Sequence, residues 1–197
     1  MTTPPPNEIH ELRLKALATF IRESDKILVN WDAYSDEHTD LDGWPHDARS
    51  YGLRASRRDA DAWRSFNRVR SFAKDLLATA EVQLQQLPAR TIQSRWAWQL
   101  ATLDTALVEL SALQRDWLNV RDSLPPSAKP GTEEYDEPLA ERYAEAWHYL
   151  DEWSSHGQAV LDIHAAAQHS PPRVLAITPV QAPAAPAQAA KPSTARR

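Results

Sequence analysis

Over most of the chain, apolar residues recur at alternating steps of three and four, the spacing that places them along one face of an α-helix. Four such runs stand out. The first spans about residues 8–34, with Leu14, Leu17, Ile21, Leu28 and Trp31 as its seam and Ser24 in the slot between Ile21 and Leu28. The second spans about 56–86, along Ala62, Phe66, Val69, Ala73, Leu76 and Ala80. The third spans about 91–124, along Trp96, Leu100, Leu103, Leu107, Leu110, Gln114 and Trp117. The fourth spans about 136–169, along Leu139, Tyr143, Ala146, Leu150, Trp153, Gly157, Val160 and His164. Phe20, Phe72, Leu77, Leu84 and Val120 widen these stripes beyond a two-stranded seam, as a globular core requires.

The pattern predicts an all-α fold: four long antiparallel amphipathic helices in an up-down-up-down bundle. At 1.5 Å per residue each helix is about 40–50 Å long. Glycine and proline mark the joins. Residues 35–52, with Gly43, Gly52 and Pro45, read as a long loop. Residues 125–135, with three prolines and Gly131, read as a second break. Pro88 ends one helix and starts the next, or kinks a single long one. A hairpin is the better reading, because two seams of roughly 50 residues are hard to pair within one chain. Residues 1–6 read as a flexible start. Residues 171–197, rich in proline and alanine and basic, read as a disordered tail.

Composition narrows the chemistry. The 197 residues contain no cysteine, which excludes disulfides, thiolate metal sites and cysteine nucleophiles. The N-terminus has no basic segment followed by an apolar run, and no apolar stretch reaches the ~20 residues of a membrane span. These features point to a cytoplasmic protein, and the excess of arginine over lysine to a GC-rich bacterial genome. The net charge of −5 is unevenly spread. Residues 53–87 carry seven bases and four acids, whereas residues 125–170 carry two and nine. A uniformly basic nucleic-acid binder has a different distribution.

Catalytic signatures are missing. The closest glycines, Gly43 and Gly52, are nine residues apart, too far for a phosphate-cradling loop or a nucleophile elbow. Residues 38–43, His-Thr-Asp-Leu-Asp-Gly, resemble half a calcium loop but have His38 and Arg49 where oxygen ligands belong. They read as a polar turn. Glu145 and His148 have the spacing of two ligands on one helix face, yet no second such motif exists to pair with them. His164 lies on the fourth seam and reads as a hydrogen-bonded residue of the core rather than a ligand. No cofactor is expected.

Two features carry functional expectations. Arg54, Arg57, Arg58, Arg64 and Arg68 fall on one stripe of the second helix, a candidate surface for anions or nucleic acid. The competing expectation is that they pair with the acidic loop holding Asp36, Glu37, Asp40, Asp42 and Asp47. On the third helix, Thr91, Ser94, Trp98, Ala101, Thr102 and Thr105 lie opposite the seam and none is charged. A tryptophan amid small uncharged residues on an outer face suits a contact surface, unless the loop or tail covers it. Trp44 is expected to pin the long loop onto the bundle. A short apolar island at residues 173–180 is a further segment for partner binding. The leading expectation is a non-catalytic helical interaction or scaffold module, bound to a protein partner or to a second copy through Trp98. Nucleic-acid or anion binding through the arginine stripe is the alternative, and a metal-dependent bundle is the third.

Overall fold

The structure, a computed structural model, describes residues 5–169. The tail and its apolar island lie outside the described residues. Among the described residues the chain is all-helical: α1 (Pro6–His38), α2 (Ala48–Arg70), α3 (Ala73–Gln86), a 3-10 turn (Ala89–Thr91), α4 (Trp96–Ser123), α5 (Glu133–His156) and α6 (Gln158–His169).

Four expected helices thus become six segments, because the second and fourth are each broken. Arg70 ends α2. Phe72 then leaves helical geometry (φ −130°, ψ 8°), with its N–H donating to the Val69 carbonyl three residues back. The second break falls at Gly157, whose N–H donates to the Trp153 carbonyl. Both breaks lie at one level of the molecule. Phe66 packs on Trp153 at 5.3 Å on one side of that level, and the Gln83 amide meets His164 at 3.1 Å on the other.

The long loop is shorter than expected. α1 runs on to His38 and α2 begins at Ala48, capped by the Asp47 carboxylate, which accepts from the Arg49 N–H. The remaining turn is built as the sequence suggests. Asp40 Oδ1 accepts from the N–H groups of Asp42 and Trp44, and Gly43 takes φ +84°, a conformation that costs glycine little. Trp44, however, is 72% exposed and pins nothing. Its backbone satisfies the turn, so its ring is left free. Pro88 is a hairpin. Leu87 and Pro88 are extended, and α3 and α4 pack on each other.

Most residues of the hydrophobic seams form one contiguous core, with Trp117, Leu28, Trp31 and Leu139 outside it. Every residue of the second seam is buried, and so are the apolar residues of the third. The first seam is buried only at Leu14 and Leu17; Phe20, a flank residue, is more deeply placed than Ile21, Leu28 or Trp31. Val120 is exposed, so it does not widen the core. α1 packs on α2 and α5, and α4 packs on α5, α3 and α6. α2–α3 and α5–α6 also meet each other across the centre.

Five polar residues are buried among the described residues: Ser24, Asp59, Ser65, Arg142 and Ser154. Ser24 occupies its expected slot. Asp59 is 4% exposed and is held by Arg58 at 2.7 Å; burial pushes its carboxyl up while Arg58 opposes the shift. Arg142 is 7% exposed, with its guanidinium 3.9 Å from the Trp63 ring centre and 4.7 Å from that of Tyr143. Its Nε has no hydrogen-bond partner among the described residues, and burial lowers its pKa.

Candidate functional site

The outer face of α4 is the first candidate surface. The helix starts at Trp96, whose ring is buried, rather than near Thr91. Thr91 therefore lies in the 3-10 turn and Ser94 in the link that follows. They stand beside the helical face, not on it. Trp98, Ala101 and Thr105 are exposed on the helix, and Thr102 is half-buried at the edge.

Trp98 is 59% exposed, and no loop among the described residues covers it. Its ring meets that of His156 on α5 edge-on at 4.8 Å. His156 is in turn held by Glu152, Nε2 to Oε2, at 3.2 Å. One edge of the indole is thus fixed and the rest faces outward, so little side-chain entropy remains to be lost on contact. Val108, 56% exposed, extends the surface. Trp98, Ala101, Thr105 and Val108 follow steps of three, four and three, a second seam opposite the buried one. Val108, His156 and Glu152 were not expected here. Val108 was legible from the repeat, whereas the approach of α5 was not.

The arginine stripe is largely consumed by the fold, though not by the acidic loop. Arg68 pairs with Glu23 of α1 at 2.5 Å, and the Ser65 hydroxyl donates to the same carboxylate. Those two contacts, Ser65 foremost, hold the Glu23 carboxyl below its ordinary value. Arg64 pairs with Asp61 one turn away. Arg58 is bound to Asp59 and sandwiched between Trp31 at 4.2 Å and Trp147 at 3.9 Å. No ion pair joins the loop acids to the stripe among the described residues, and Asp40 and Asp47 are spent on their own turn and cap. Arg54 lies over the Tyr34 ring at 5.5 Å with no carboxylate in reach, and Arg57 has no partner among the described residues.

Glu145 and His148 are both exposed on α5. The nearest carboxylate oxygen to His148 belongs to Glu152, at 4.0 Å. Among the described residues no group of three or more His, Asp or Glu side chains is disposed to hold a metal. His164 is a hydrogen-bonded residue: Nδ1 meets the Gln83 amide at 3.1 Å and Nε2 meets Glu11 at 3.0 Å. The neutral imidazole with its proton on Nε2 satisfies both contacts, accepting from Gln83 and donating to Glu11. No helix among the described residues is long and apolar enough to cross a membrane.

Comparison with known protein families, with curated proteins and with solved structures finds no match.

Proposed function

We propose that this chain is a non-catalytic helical interaction module that self-associates through the outer face of α4. In this reading the six segments act as four rods in an up-down-up-down bundle, with the two broken rods at the centre and α1 and α4 outside. The exposure of Trp98 at the head of an uncharged seam is the observation that carries the proposal. A solvated helix face ordinarily carries charge, and a large ring among small residues is the usual centre of a protein contact.

A second copy is the favoured occupant because the seam complements itself. In an antiparallel pairing centred near Leu103, Trp98 of one copy lies opposite Val108 of the other, and Ala101 lies opposite Thr105. The small residues allow the helices to approach closely, while the indole fills the space beside valine. Arg95 and Glu109 share a flank of α4 on the helical wheel. Antiparallel pairing brings the Arg95 of each copy within a turn of the other's Glu109. The two Asp104 side chains share the opposite flank, which limits the affinity.

Light scattering of wild type and Trp98→Glu tests this. The wild type is expected to exceed the monomer mass at high concentration and the variant to be monomeric, with unchanged helicity by circular dichroism. Equal masses for the two proteins exclude self-association through this face.

A further inference from the structure

Among the described residues, two arginines of the stripe, Arg54 and Arg57, form no ion pair, and both line the same cleft. Asn30 and Trp31 of α1 face Arg54, Arg57, Arg58 and Asp61 of α2 across a space of about 80 Å³. The charges there do not cancel. Arg58 is neutralised by Asp59, and Asp61 is engaged by Arg64. Arg54 and Arg57 remain as two uncompensated cations, and Asn30 adds an exposed amide that can donate. The walls are firm. Trp31 is clamped between the Arg58 guanidinium and Tyr51, whose ring centre lies 5.0 Å away. Tyr51 is tied back to α1 through a 2.8 Å hydrogen bond with Ser35.

We propose that this α1–α2 cleft binds a single phosphate-class oxyanion, either inorganic phosphate or the terminal group of a phosphomonoester. Planar guanidinium forks match the oxygens of a tetrahedral anion, and a low-dielectric aromatic wall strengthens the attraction. The small volume favours one phosphate group over a run of phosphodiesters. The site also narrows the stripe. Arg64 and Arg68, tied to Asp61 and Glu23, are not ligands. The α4 surface is not involved, so either proposal stands if the other fails.

The test is a titration of the full chain with inorganic phosphate at low ionic strength, followed by NMR at the Asn30 amide and the arginine Nε groups. A saturable response at Arg54, Arg57 and Asn30 is expected. Arg57→Gln should weaken binding about tenfold or more, whereas Arg90→Gln, an equal loss of charge in the 3-10 turn, should leave it within about twofold. Arg57 has no intramolecular partner among the described residues, so its replacement spares the fold. Oligonucleotides with and without a 5′-phosphate separate the sources. Binding of the phosphorylated form alone supports recognition of a terminal monoester, and binding of inorganic phosphate alone confines the site to the free ion. Equal binding of both oligonucleotides identifies a backbone phosphodiester surface and overturns the proposal. A non-saturable response to phosphate, or equal affinity of Arg57→Gln and wild type, overturns it as well.

Discussion

Replacing Gly157 with alanine sets helix propensity against packing at the junction of α5 and α6. The backbone there is right-handed helical (φ −58°, ψ −26°), so alanine is conformationally allowed. By propensity alone it should stabilise the protein by about 0.5–1 kcal/mol. A Cβ at this position, however, would stand 2.6 Å from the Trp153 carbonyl oxygen and 3.3 Å from Ile21 Cδ1. The carbonyl is backbone, and it already accepts the Gly157 N–H at 3.0 Å. Relief therefore requires the junction itself to move, within a fully packed core. Overpacking of this kind costs about 1–3 kcal/mol, so the net expectation is a loss of about 1–2 kcal/mol. In a chain of this size that lowers Tm by roughly 3–6 °C. Thermal and urea unfolding followed by circular dichroism measure it. Ile21→Val in the Gly157→Ala background removes the Cδ1 contact but not the carbonyl clash, so a double-mutant cycle should show partial rescue at most. A Gly157→Ala protein as stable as wild type, or more so, would refute the reasoning. It would mean that α5 and α6 join into one helix at no cost.

Arg142 offers a second test of the core. Arg142→Met keeps the volume and removes a buried, uncarboxylated charge, so stability should stay within about 1 kcal/mol of wild type or rise. Arg142→Ala leaves the Trp63–Tyr143 space unfilled and should cost about 2 kcal/mol or more in urea unfolding. His10 contributes a pH dependence. Burial, then the neighbouring His164, holds its pKa below the ordinary value, so the unfolded chain takes up the proton first as pH falls. Stability present above about pH 6.5 should therefore decline below it, and His10→Gln should flatten that decline in denaturation series. Glu23 acts lower on the scale. Its depressed pKa stabilises the fold above about pH 4.3 and is lost as pH falls through the folded value. Glu23→Gln should remove that part of the acid sensitivity.

Much of the helix content was legible because burying one face of a helix demands a repeat that sequence displays directly. The second and third seams are buried almost residue for residue, and the turn at Asp40–Gly43 formed as its residue types require. The break at Ser71–Phe72 carries no glycine or proline and had no local signal. Val69 and Ala73, on either side of it, are both buried. The Gly157 break had a marker, but it stood on a seam, where a small residue equally suits close packing within a continuous helix.

The candidate surfaces divide in the same way. The uncharged stripe of α4 and the arginine stripe of α2 were visible as faces of single helices, since wheel position follows from residue number alone. Which arginines remain unpaired depends on Glu23, forty-five residues away from Arg68, and on Asn30 and Trp31 of a different helix. The Arg58–Asp59 and Arg64–Asp61 pairs lie within α2, but the Arg68–Glu23 pair and the shape of the cleft are relations between helices, and residue spacing within one helix is silent about its neighbours. The sequence by itself therefore determined that this protein is helical and which faces its second and third expected helices bury. The tertiary structure alone decided where the second and fourth helices break, which charges are neutralised between helices, and that Arg54 and Arg57 face a cleft without an ion-pair partner.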